Sequence, residues 1–137
     1  MIVFDTNVIS EMMRPVPNPV VLHRISTLSA VSTALTAVTI TEIAYGIERM
    51  SKGKKRNHLN ELFFGLIKGM PILPLDERSA YKTAEFRVLR ENKGLRVDTE
   101  DMMIAGIAAA NNAVIATRNI KDFALLPIEI INPWQSN

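Results

Sequence analysis

The sequence predicts an α/β protein, a three-layer α/β/α sandwich around a central, mainly parallel sheet. Three observations carry this expectation. Short aliphatic runs alternate with longer segments of helical spacing, and strands that alternate with helices pair in parallel through crossovers. The strand-like runs read as buried, and several hand their carboxyl ends to acids, hydroxyls and amides. Finally, 137 residues with 47% hydrophobic content suffice to close one core. Aromatics are only 6%, so aliphatic side chains must fill it. We expect one domain over residues 1–137, with no repeat, low-complexity tract or linker.

Taken in order, "IVF" (2–4) reads as the first strand. Asp5 or Asn7 can cap a short helix over "VISEMM". "NPVVLHRIST" reads as a helix with Pro19 near its start, where proline is tolerated. "ALTAV" (34–38) is the second strand. "TITEIAYGIERM" follows with Ile43, Ile47 and Met50 at helical spacing. "SKGKKRN" breaks that pattern, and "HLNELFFGLIKGM" resumes it with Leu59, Leu62, Phe63, Leu66 and Ile67, which predicts a helical hairpin. "PILPL" (71–75) is a short strand fenced by prolines. Asp76 caps the next helix and Gly94 stops it. "EDMMIAGIAAANN" is a helix of small residues that permit close packing on a sheet. Strands over 114–116 and 128–131 complete the set.

Composition narrows the function. The chain has no cysteine, which excludes a disulfide framework and any thiolate site. No run of about twenty apolar residues occurs, and "MIVF" is too short for a secretion signal, so a cytoplasmic protein away from membranes is expected. A net charge of +2 is compatible with a polyanionic partner without identifying one.

Four acids fall where a parallel sheet gathers its ligand sites, at the carboxyl edge of the strands. Asp5 follows the first strand, Glu42 lies early in the helix after the second, Asp101 opens the small-residue helix, and Asp122 closes "TRNIKD" after the fourth strand. Each has an ordinary explanation. "TITE" fits a capping box with Thr39 as N-cap and Glu42 at N3. Asp98, Glu100 and Asp101 answer the positive end of a helix dipole. Asn119 and Asp122 can form a turn. Together they call for more. At ~4 Å and an effective dielectric of ~20, each charged pair repels by about 4 kcal/mol. Either an acid takes up a proton or a cation sits among them. With no His or Cys nearby, an all-oxygen set selects Mg²⁺ or Mn²⁺ over zinc.

The segments "MIVFDTNVISEMMR", "TAVTITEIAYGIER", "DMMIAGIAAANN" and "VIATRNIKDF" occur in this order over residues 1–123, and "INPW" follows near the end. In these motifs the chain resembles the PIN-domain ribonucleases, in particular the VapC/FitB-like toxins of bacterial toxin–antitoxin pairs. The resemblance implies a PIN-like sandwich and Mg²⁺-dependent (or Mn²⁺-dependent) hydrolysis of RNA phosphodiesters by an activated water. It implies Asp5, Glu42 and Asp101 as metal ligands and catalytic acids. Asp122 is favoured as the auxiliary fourth acid, with Asn119 as polar support where some relatives carry Asp. Thr6, Thr117, Arg118 and Asn119 become contacts to water or phosphate. "RVDTED" departs from relatives that carry proline or an aromatic before the third acid, and its Asp98 and Glu100 add charge; the register D-x-x-I-A favours Asp101. The resemblance further implies a small antitoxin (VapB/FitA-like) whose C-terminal segment blocks the site, operator DNA bound only through that antitoxin, and a homodimer. Met12, Met13, Phe63 and Phe64 could line the antitoxin surface, although core positions are their default.

"KGKKR" (52–56) is the densest basic run, a solvated loop or a phosphate contact. Arg118 lies beside the acid edge, and Arg14, Arg87, Arg90 and Arg96 are further cations. His23 and His58 stand outside the motifs. Other readings fit less well. A receiver domain wants paired acids after its first strand, a dehalogenase-like phosphatase wants Asp at Asn7, and a nucleotide site wants a Gly-rich loop. The remaining alternative is a catalytically degenerate PIN-like module that binds RNA or a partner without cutting.

Overall fold

The computed structural model describes residues 1–28 and 31–135. Five strands form one sheet: β1 (Ile2–Phe4), β2 (Thr33–Thr36), β3 (Ile72–Leu73), β4 (Val114–Ala116) and β5 (Ile130–Ile131), in the order β3-β2-β1-β4-β5. Every pair is parallel. Val3 faces Ala34 on one side and Ile115 on the other, which fixes the central register. The helices are α1 (Thr6–Met12), α2 (Pro19–Thr27), α3 (Ala37–Glu48), α4 (Lys54–Ile67), α5 (Glu77–Asn92) and α6 (Thr99–Ala110).

The strand period of two divides the core into the expected layers. Val3 and Ile115 point to one face, where they meet Phe86 of α5 and Met102, Ile104 and Ala108 of α6. Ile2 and Phe4 point to the other, against Val8 and Ile9 of α1, Ile47 of α3 and Phe63 of α4. The central strand β1 is covered on both faces, which is why it reads as a continuous apolar run. On the α5–α6 face the two helices approach closely at Gly106. A Cβ there would meet the Thr83 hydroxyl and lie 2.6 Å from the Ser79 carbonyl oxygen.

Several boundaries differ from expectation. The second strand ends at Thr36 rather than residue 38, because the Thr36 hydroxyl accepts the Thr39 N–H at 3.2 Å and starts α3 three residues early. Thr39 is therefore not the N-cap, and Glu42 sits in the second turn with no capping duty. The basic run is mostly helical: Gly53 precedes α4, whose first turn is Lys54, Lys55 and Arg56. Strands β3 and β5 are two residues each, shorter than 71–75 and 128–131. Pro71 and Pro74, which cannot donate to a ladder, bracket the first of these. Elsewhere the local signals hold. Asp76 accepts the Ser79 N–H at 2.9 Å to cap α5, and Gly94 takes φ 71° just beyond its end, a conformation only glycine adopts freely.

Candidate active site

The chain leaves β1 toward β2 and later returns to β4 on its other side, so strand order reverses beside β1. A crevice opens at such a point beyond the strand carboxyl ends. Here it is a cleft of 280 Å³ lined by Asp5, Thr6, Asn7, Ser10, Glu42, Asp101 and Asn119.

Asp5 is nearly fully buried, at 3% exposure. Its backbone N–H extends the β1–β4 ladder by donating to the Ala116 carbonyl at 2.9 Å, which pins the residue at the sheet edge. Its side chain caps α1 through the Thr6 N–H at 2.8 Å. The other carboxylate oxygen accepts the Thr117 hydroxyl at 2.7 Å and the Asn7 amide at 3.3 Å. Burial raises its pKa, the Thr117 and Thr6 donors oppose that rise, and the charges of Asp122 and Asp98 add to it. Glu42 reaches in from α3 and accepts the Thr6 hydroxyl at 2.7 Å. That hydroxyl also lies 3.0 Å from the Thr39 hydroxyl, so a threonine pair fixes where Glu42 stands. Burial first, then the neighbouring Glu100 and Asp5 carboxylates, push its pKa to about 7.

Asp101 enters from the first turn of α6. Asp98 is the N-cap of that helix and accepts the Asp101 N–H at 2.9 Å, which leaves the Asp101 side chain free for the cleft. Among the described residues no donor reaches its carboxylate. Its pKa is pushed to about 7 by burial, then by the charges of Asp98, Asp5, Asp122 and Glu42. Asp122 lies in a short 3-10 helix (Ile120–Phe123), behind the cleft lining but close enough to be felt by Asp5 and Asp101.

The polar support residues form one chain. Thr117 is fully buried; Asn7 donates to its hydroxyl at 3.1 Å, and the Asn119 N–H does so at 3.0 Å. The Asn7 carbonyl oxygen accepts the Arg118 N–H at 3.2 Å. Arg118 is exposed, and its guanidinium lies over the Trp134 ring, 5.4 Å from the centroid. Asn119 lines the cleft directly. The motifs do not mark Asn7 or Ser10 as site residues. Thr6 and Ser10 are four apart on α1 and Asn7 and Ser10 three apart, so helical spacing from the motif could have found both.

The residues suit a hard divalent cation in kind. Asp5, Glu42 and Asp101 bring only oxygens to one cleft, and all three are pushed toward neutrality, Glu42 and Asp101 to about 7. No Lys or Arg ion-pairs with any of them among the described residues. Their side chains, drawn to hydroxyls and repelled by one another, are not closed around one point: no group of three acids or histidines stands at ion-holding distance among the described residues.

The basic residues fare differently from expectation. Arg90 is buried and, among the described residues, bonds only to backbone carbonyls, so it is no phosphate contact. Arg14 pairs with the buried Glu11 at 3.1 Å, and Arg56 with Glu48 at 2.9 Å. Neither His23 nor His58 lines the cleft. From Thr6, Ser10 and Glu42 an apolar hollow of 530 Å³ runs along α1 and α3, walled by Met13, Ile43 and Met50. A second, of 460 Å³, continues it past Met12 and Leu59 toward His58. Met12 and Met13 therefore face a groove, Phe63 is core, and Phe64 is exposed away from both hollows.

The model of the PIN domain matches residues 2–127. The toxin FitB of Neisseria gonorrhoeae is 34% identical over 98% of this chain and 99% of its own length. The VapC ribonuclease Y4jK of Sinorhizobium fredii is 32% identical, over 98% and 99%. The solved structure of FitAB bound to an IR36 DNA fragment superposes with a TM-score of 0.90 at 34% identity, over 100% of this chain and 98% of that one.

Proposed function

The chain belongs to the PIN-domain family, within its FitB and VapC branch, and on that premise we propose that it is a Mg²⁺- or Mn²⁺-dependent endoribonuclease acting as the toxin of a toxin–antitoxin pair. The observation that supports the reading is the cleft itself: carboxylates from α3, α6 and the end of β1 line one cleft, and no Lys or Arg ion-pairs with them among the described residues.

Asp5, Glu42 and Asp101 are the residues that would hold the ion. When bound, a divalent cation lowers the pKa of a water and offsets charge on a scissile phosphate. The chain's own groups do the rest. Thr117, Asn7 and the Thr6 N–H hold Asp5 in one orientation, and the Thr6–Thr39 pair holds Glu42. Second-sphere donors of this kind fix ligand direction and commonly change metal affinity 10- to 100-fold (about that range) when removed. Asp122 supplies further negative charge beside Asp5 and Asp101. Arg118, braced by Trp134 and by Asn7, offers a cation to an RNA phosphate at the cleft rim, with Asn119 and Ser10 as polar contacts. No side chain has to act as a covalent nucleophile.

The apolar groove that opens from the cleft is the surface proposed for a small antitoxin, with Met13 adaptable at its centre. A segment lying there reaches Glu42 and Thr6 and closes the site. DNA then associates through the antitoxin, and homodimerisation through another face is proposed with it.

The test is incubation of the purified, partner-free protein with structured RNA, with and without Mg²⁺, beside Asp5→Asn and Asp101→Asn. Metal-dependent cutting lost in both variants is expected. Intact RNA in every lane, with RNA binding retained, would favour a non-cutting module.

A further inference from the structure

Arg90 lies near the C-terminal end of α5, 3% exposed, and ion-pairs with no carboxylate among the described residues. Its Nε and one terminal nitrogen donate to the Arg96 carbonyl at 3.2 and 2.9 Å. Its other terminal nitrogen donates to the Lys121 and Ala124 carbonyls at 3.2 and 2.8 Å. The planar fork of a guanidinium can satisfy two segments at once, which a lysine ammonium does less rigidly.

These two segments carry acids of the cleft. Arg96 stands two residues before Asp98, the cap that places Asp101, and Lys121 and Ala124 bracket Asp122. Of Asp98 and Asp122, it is Asp122 that bears on Asp101 from across the gap between the segments. Resting on the divalent-cation reading above, we propose that Arg90 is a positioning residue: its fork ties the segment before α6 to the 3-10 helix and so fixes where Asp101, in the cation pocket, stands relative to Asp122 behind it.

The mode of action sets the sign of the test. Its four hydrogen bonds all go to backbone carbonyls of the two segments, so the role proposed for it is geometric. If charge alone mattered, deleting a buried cation would tighten divalent binding. Positioning demands the opposite.

The experiment is calorimetric titration of the full-length protein with Mn²⁺ alone, below the unfolding range, for wild type, Arg90→Met, Arg90→Lys and Asp101→Asn. Phe63→Leu, in the opposite layer, serves as a control for general destabilisation. Arg90→Met is expected to weaken Mn²⁺ on the order of tenfold, Arg90→Lys by less, and Phe63→Leu not at all. If Arg90→Met does not fold, Arg90→Lys decides by the same criterion. Affinity equal to wild type, or tighter, in the folded Arg90 variants overturns the proposal while leaving the cation reading intact. Wild type that takes up no Mn²⁺, or Asp101→Asn that binds it as well as wild type, overturns the cation reading and this proposal with it.

Discussion

Helix α6 takes part in two regions built on opposite rules. Along its middle, Gly106 seats against Thr83 and Ser79 of α5 so closely that one methyl group does not fit, and the Thr83 hydroxyl is satisfied by the Ser79 carbonyl at 2.8 Å. Five residues earlier, at its first turn, Asp101 faces Asp5 and Glu42 without a donor of its own among the described residues. The seam is closed by packing and by that hydrogen bond, whereas the cleft gathers like charges. The contrast teaches that stability of this fold lies in the α5–α6 pairing and its apolar layer, and that the carboxyl edge gives up stability for an incoming positive charge.

The largest effect expected to sharpen this contrast is at Asp101. Asp101→Asn should lower metal-dependent RNA cleavage by about a hundredfold or more, measured at saturating RNA, and should raise the melting temperature of the metal-free protein at pH 8. Unchanged cleavage would dissolve the contrast from the cleft side. From the seam side, Gly106→Ala should destabilise by about 1–3 kcal/mol through overpacking, even after a gain of roughly 1 kcal/mol in helix propensity. The midpoint of urea unfolding reports it. A rise in that midpoint would mean that the seam is looser than its geometry.

A smaller effect follows from protonation. Glu42 and Asp101 are raised from ordinary values of 4.5 and 3.8 to about 7. The folded state therefore binds more protons than the unfolded one between these limits, and stability falls as pH rises. Metal-free protein should be most stable, as far as these groups decide, below about pH 4. It should lose that contribution as pH climbs through about 7. Saturating Mg²⁺ should flatten the fall, since the bound state needs ionised carboxylates. Melting temperatures at matched ionic strength from pH 5 to 8, with and without Mg²⁺, check both slopes. The smallest effect is at the rim. Arg118→Ala, in the Asp101→Asn background, should reduce the salt dependence of RNA binding by about one unit of slope, read by fluorescence anisotropy.

The layout of both regions was legible to different depths. Continuous apolar runs such as Ile2–Phe4 and Val114–Ala116 announced buried parallel strands, and that topology by itself predicted which acids share an edge. Residues 37 and 38 misled because an alanine and a β-branched valine extend a strand pattern, while Thr36 and Thr39 are equally good caps and only the fold chooses between them. Arg87 and Arg90 lie three apart on α5 and so on neighbouring positions of one face, a spacing that does not say which is buried; tertiary packing turns Arg90 inward and leaves Arg87 exposed. The seam was half visible, as a stripe of small residues in α6, without the partner that explains it. Its counterpart, Ser79 and Thr83 at i and i+4 on α5, reads from sequence as an ordinary polar pair.

The most direct measurement of the central claim is anomalous scattering from crystals of the partner-free protein grown with Mn²⁺. The account predicts a peak in the cleft, with oxygens of Asp5, Glu42 and Asp101 rotated in to bind the ion directly or through its waters, at the distances of roughly 2.0–2.6 Å typical of hard divalent cations on oxygen. Fully occupied Mn²⁺ elsewhere on the surface, with this cleft empty and its carboxylates still turned to Thr6 and Thr117, would contradict it.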